Sequence, residues 1–195
     1  ALFAVLAVLF LTSPEPQDSP QIAEADMTPA QRSLQTVEER WAAIRDDTAE
    51  IQRQVELRTS DGTPFNCEFE FAEPLPFELP SEQASDLPLL DNFVAQYNVL
   101  ASQLAQVQTT YDGVCTSESA TMTPETVDAM LGPIDVINQQ MTDIETTLLI
   151  DTRAEVDQNA RDVADEVATQ NAIDNATAVF TEEPADNGST EGGDD

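Results

Sequence analysis

Three long stretches of this chain repeat apolar residues at alternating intervals of three and four positions. Such a repeat places the apolar side chains on one stripe of an α-helix, and a stripe of this kind needs another element to cover it. The stripes are Leu34, Val37, Trp41, Ile44, Ile51 and Val55; Leu90, Phe93, Tyr97, Leu100, Leu104, Val107, Tyr111 and Val114; and Val127, Met130, Ile134, Ile137, Met141, Ile144 and Leu148. The pattern predicts three helices that share one core.

Start and stop signals set the bounds of these helices. Thr28, Pro29 and Gln31 form a capping-box pattern, and Thr123-Pro124 is a second helix start. We predict helices over about 28–58, 87–114 and 124–151, with a kink or a fresh start at Pro133. Each helix would be ~42 Å long at the usual rise per residue. The predicted fold is therefore all-α, an elongated three-helix bundle occupying 28–151.

The connection between the first two helices, residues 59–86, is unusually long and rich in proline and phenylalanine. Polar and aromatic residues alternate over 67–71, which predicts a short strand within an otherwise extended segment. Half of the eight phenylalanines of the chain lie here: Phe65, Phe69, Phe71 and Phe77. The interpretation we favour is that they cover a groove between helices. The alternative is that they form a surface for a partner.

The two cysteines, Cys67 and Cys115, predict a disulfide bond if the chain is exported. Cys67 follows the end of the first helix and Cys115 follows the end of the second. In an up-down-up bundle those ends would lie at opposite poles, ~42 Å apart, whereas the Cα atoms of a disulfide lie within about 7 Å. A bonded pair therefore predicts that the first two helices run parallel and that the connection crosses back along the bundle.

Residues outside the helical domain indicate where the chain resides. An unbroken apolar run, residues 1–11, reads as a membrane anchor or a signal remnant, followed by a Pro-rich linker over 12–27. A weaker helical extension is predicted for 152–180, and an acidic disordered tail for 181–195. The extension offers a candidate interaction surface at Val156, Val163, Val167, Ile173 and Phe180. Asn175 and Asn187 match the glycosylation acceptor pattern.

The charge of the chain restricts its partners. There are 38 acidic residues and 7 basic ones, giving a net charge of −31, and every basic residue is an arginine. With no basic patch, nucleic acid is not expected as a partner. The expected partner is a basic or membrane-embedded protein. Weak, nonspecific binding of divalent cations is also expected. Five arginines lie on the first helix, which suggests that they relieve repulsion between two acidic helices.

No catalytic constellation is present in the sequence. The chain has no histidine or lysine for acid–base or Schiff-base chemistry, and no phosphate-binding glycine loop. We therefore predict a protein without catalytic residues, cofactor or metal. The favoured function is a membrane-tethered extracytoplasmic interaction or scaffolding subunit, periplasmic or at the cell surface. The alternatives are a free-standing acidic surface or stalk protein of a halophile, and a module that binds a small ligand or cation.

Overall fold

The described part of the chain, residues 27–116 and 123–181 of a computed structural model, consists of α-helices and the segments that join them. No strand occurs among these residues, which confirms the all-α class. The predicted anchor (1–11), the linker as far as residue 26, the tail from residue 182 and Asn187 lie outside the described residues.

The first helix, α1, spans Pro29–Asp61. Its start is the predicted capping box, because the Thr28 hydroxyl accepts from the Gln31 N–H and the Gln31 side chain accepts from the Thr28 N–H. The helix ends at Gly62, whose φ of 76° lies in the left-handed region that glycine adopts without strain. Arg58 donates to the carbonyl of Gly62 at 2.8 Å and satisfies one carbonyl at this end.

The connection is not extended throughout. Its last residues form a short helix, α2, over Ser81–Asp86, and Leu87 alone separates it from α3, which spans Pro88–Thr116. The predicted strand over 67–71 is wrong, because Cys67 and Glu68 lie in a turn that is closed by a hydrogen bond from the Phe69 N–H to the Asn66 carbonyl. An alternating pattern makes a strand only where a second strand is available to pair with it.

The third long helix runs through several segments. The helix α4 spans Pro124–Ile144, a π-helical segment spans Glu145–Leu149, and α5 continues through Ile150–Thr181 without a break. The helix passes through Pro133 and starts at Pro124, so Pro133 does not restart it. The helical extension that the sequence predicts for 152–180 lies within α5, which continues α4 as one helical rod.

Contacts between the helices establish their directions. Trp41 packs on Phe93 with ring centroids 5.1 Å apart, and further along both helices Asp47 accepts from Gln108. Helices α1 and α3 therefore run parallel. The rod formed by α4 and α5 runs antiparallel to α1, because Thr48 contacts Asn138 while Arg153 pairs with Glu38, nearer the start of α1.

The three apolar stripes meet in one core. Side chains such as Val37, Leu90 and Ile137 are fully buried, and Thr48, which fills the one gap in the first stripe, is buried as well. Each large aliphatic residue buried here contributes roughly 1.5–3 kcal/mol. Aromatic contacts add to the core, where Trp41 packs on Phe93 and Phe65 packs on Tyr111.

The disulfide between Cys67 and Cys115 is confirmed, with Cα atoms 5.5 Å apart. It fixes the start of the connecting segment next to the end of α3. From there residues 62–80, here called the strap, return along α1 and α3: Asn66 contacts Tyr111, Leu75 contacts Tyr97 and Phe77 contacts Asn98. The strap thus crosses from the pole where both helices end to the pole where both begin.

We expect Ile44→Asp to lower the free energy of unfolding by roughly 4 kcal/mol, because it places an unpaired charge in the core. Ile44 is only 2% exposed. Urea unfolding followed by circular dichroism measures the change. The matched control is Ala49→Asp at an exposed position of the same helix, and equal losses for the two variants would contradict the burial of this stripe.

We expect the double variant Cys67→Ser, Cys115→Ser to lose ~4 kcal/mol of stability, because the bond closes a loop with a sequence separation of 48 and so restricts the unfolded chain. Reduction of the wild-type protein should give the same loss and leave the double variant unaffected. A reductant that destabilises both proteins equally would show that the bond is not the source of the effect.

Candidate functional site

The four strap phenylalanines that the sequence singles out pack toward the helices. Phe65 and Phe71 meet Tyr111 edge to face at centroid distances of 5.1 and 5.0 Å, and Phe69 packs on Phe71 at 4.8 Å. The Arg40 guanidinium lies over the Phe77 ring, with its Cζ atom 5.2 Å from the ring centroid. Phe65, Phe71 and Phe77 are partly buried against the core. This placement matches the groove-covering interpretation that the sequence favours.

Side chains from the helices satisfy the backbone of the strap, which has no regular hydrogen bonding of its own. Asn98 makes two bonds to Phe77, accepting from its N–H at 2.9 Å and donating to its carbonyl at 2.8 Å. The Tyr97 hydroxyl donates to the Leu75 carbonyl at 2.7 Å, and Gln54 accepts from the Asn66 N–H at 2.7 Å. The strap is therefore held at several points along its length.

A cavity of about 210 Å³ remains between the strap and the two parallel helices. Helix α1 contributes Glu39, Arg40, Ala43, Ile44 and Asp47, the strap contributes residues 72–74, and α3 contributes Tyr97 and Leu104. The lining is mainly apolar, with a few polar groups converging on it. That combination is the usual character of a small-molecule site.

Asp47 is the most unusual residue of this cavity. Its side chain is buried, with 4% of the residue exposed, and it accepts from the Gln108 amide at 3.1 Å. Burial raises the pKa of Asp47 to about 6, while the backbone hydrogen bond from Ala72 acts in the opposite direction and the nearby Asp46 carboxylate raises it further. Among the described ion pairs none involves Asp47. The sequence analysis missed this residue, although its position three residues after Ile44 and four before Ile51 puts it on the apolar face of α1.

A second groove, of about 360 Å³, lies between α1 and the π-helical segment. The Trp41 indole donates to Glu145 at 2.7 Å, and Arg45 forms an ion pair with the same carboxylate. Arg153 pairs with Glu38 at 2.7 Å beside them. The π-helical turn thus places Glu145 where two α1 side chains reach it.

The arginines of α1 do not join it to both acidic helices. Of the described ion pairs that involve them, Arg45 reaches Glu145, whereas Arg53 pairs within α1 with Glu50. Arg40 and Arg58 donate to backbone carbonyls. No described ion pair links α1 to α3.

The predicted contact residues of α5 separate into two environments. Val156 is 1% exposed and closes the core, whereas Val163, Val167 and Ile173 are 41%, 55% and 53% exposed. Every residue from 161 to 177 is exposed. The side chain of Phe180 lies outside the described residues, and Asn175 is exposed on this part of α5.

Among the described residues, no group of three or more histidine, cysteine, aspartate or glutamate side chains is placed to hold a metal ion. Within the same part of the chain, no helix is both long and apolar enough to cross a bilayer.

The chain matches no protein-family model, and no curated protein or solved structure is significantly similar to it.

The buried carboxyl group of Asp47 predicts a dependence of stability on pH. The folded protein holds this proton up to about pH 6, whereas an unperturbed aspartate releases it near 3.8. Because the folded state then binds more protons than the unfolded state, the contribution of Asp47 to stability falls as pH rises through this window, by ~3 kcal/mol in total.

Asp47→Asn should remove this contribution. Urea unfolding measures the free energy of unfolding of the variant and of the wild type. Relative to the wild type, the variant should be about 1 kcal/mol more stable at about pH 7.5 than at about pH 5. Asp46→Asn, at the exposed neighbour, should show a much smaller change, because it removes only the repulsion that Asp46 adds at Asp47. A pH-independent difference for Asp47→Asn would mean that the carboxyl group titrates normally.

Proposed function

We propose that this protein is a non-catalytic interaction or scaffolding subunit, tethered to a membrane on its extracytoplasmic side and built as an elongated three-helix bundle with a strapped groove. The observation that supports it best is the end of α5, which continues past the core with every residue from 161 to 177 exposed. A helix that leaves the core in this way offers a surface to another protein.

The energetics of this segment favour a partner. Isolated helices in water are marginal even with good helix formers, and this one contains valine, threonine, asparagine and aspartate, which are poor ones. Val163 and Val167 lie one and two turns further along the line of Val156 and Ala160. A partner packed on this line would supply the contacts that the core supplies to the rest of the rod.

Charge indicates the chemistry of the partner. The exposed part of α5 carries Arg161 as its single basic residue and four acidic ones: Asp162, Asp165, Glu166 and Asp174. A second copy of the same helix would repel it, whereas a protein surface with a small apolar strip between arginine or lysine side chains would complement it. The proposed partner is therefore basic at its contact with α5.

The direction of α5 supports a tether at the N-terminal side of the bundle. Because α5 runs antiparallel to α1, it extends beyond the pole at which α1 begins, and a tether preceding Thr28 would join the helices at that pole. The disulfide supports an oxidising compartment outside the cytoplasm.

Site-specific photocrosslinking in the native cells tests the proposal. A photoreactive residue at Val163 or Val167 should give a discrete adduct with a basic protein. The same residue at Val99 or Val136, each 50% exposed on other helices, should not. A chain ending after Ala160 should keep its melting temperature and lose the partner. Adducts of equal yield at all four positions, or none at α5, would contradict the proposal.

A further inference from the structure

We infer that the cavity under the strap is a binding site for a small organic cation, a primary ammonium group attached to an apolar body about the size of one six-membered ring. The ammonium would contact the buried Asp47 carboxylate, and the body would fill the apolar part of the cavity. This inference does not rest on the function proposed for α5, since it concerns the opposite, strap-covered side of α1.

The size of the cavity sets the size of the ligand. A closed apolar cavity of about 150 Å³ accommodates benzene, and this one measures about 210 Å³. Ala43, Ile44 and Leu104 provide apolar walls, and Pro74 of the strap covers part of the opening. The Tyr97 hydroxyl is already bonded to Leu75, so the aromatic ring is what Tyr97 offers to a ligand.

The free acceptor capacity of Asp47 sets the charge of the ligand. A carboxylate has about four lone-pair sites, and Asp47 uses its bonds with Gln108 and the Ala72 backbone. A buried carboxylate without an opposite charge is unfavourable, and an ammonium group would offset that cost. The structure therefore contains an acceptor that a cationic donor would complete.

Other charged groups around the cavity favour a cation over an anion. Glu39 on α1 and Glu73 on the strap line the cavity beside Asp47, and the Asp46 carboxylate adds to the same field. Arg40 is the one basic residue of the lining, and its guanidinium donates to the carbonyls of Leu75 and Pro76. An anion in the cavity would meet the three carboxylates of the lining, those of Glu39, Asp47 and Glu73. The only guanidinium of the lining already donates to backbone carbonyls.

Benzylamine, benzyl alcohol and benzoate are probes of equal size and different charge. Titrated into the full chain at millimolar concentration, benzylamine should shift the backbone NMR signals of Ala43, Ala72 and Leu104 and bind at least tenfold more tightly than the other two. Its affinity should fall about tenfold between about pH 7.5 and about pH 5, because Asp47 is then protonated while the amine stays charged.

Three variants test the assignment of the site. Asp47→Asn should weaken benzylamine at least tenfold and bring it to the affinity of benzyl alcohol, whereas Asp46→Asn at the exposed neighbour should stay within a factor of about two. Ala43→Leu fills the cavity and leaves Asp47 in place, and should abolish the shifts. Equal binding of the amine and the alcohol, equal losses in the two Asp→Asn variants, or no shifts at cavity residues would overturn the inference.

Discussion

Two adjacent helices that run in the same direction cannot be joined by a short turn, because the chain must first travel back along their whole length. This constraint governs the molecule. The Cys67–Cys115 bond holds the start of the strap next to the end of α3. From there the strap lies over the groove between α1 and α3. The long connection, its aromatic residues and the cavity beneath it all follow from the parallel arrangement.

The strap has no regular structure, so side chains must form hydrogen bonds with its backbone N–H and carbonyl groups. This requirement explains why polar residues lie on or beside the apolar stripes of the helices. Asn98, Tyr97 and Tyr111 on α3 each bond a strap carbonyl or N–H. Asp47 belongs to the same set, since it accepts from the Ala72 backbone. It differs from the others because it carries a charge at neutral pH in a place where no described ion pair offsets it. The contact that holds the strap therefore also places a carboxylate in the cavity.

The sequence predicted features that depend on local pattern. The stripes, the capping box at Thr28 and the cysteine pair were confirmed, because spacing and cap chemistry act within a few residues or through a bond that only two residues can make. Two features that depend on neighbours distant in sequence were missed. The apparent strand at 67–71 has no strand to pair with among the described residues, and the burial of Asp47 depends on the strap that covers this part of α1. Phe65 and Phe71 pack against the core, as the groove-covering interpretation of the sequence expects.

The uninterrupted rod from Pro124 to Thr181 has a mechanical consequence. A rigid lever amplifies small rotations at its fulcrum, and the fulcrum of this rod is the point past Val156 where α5 leaves the core. From residue 161 to its end, α5 is ~32 Å long at the helical rise per residue. A tilt of about 10° where α5 leaves the core would carry the far end sideways by ~5 Å. A small repacking around Val156 would thus become a displacement of about one helical turn at the end of α5.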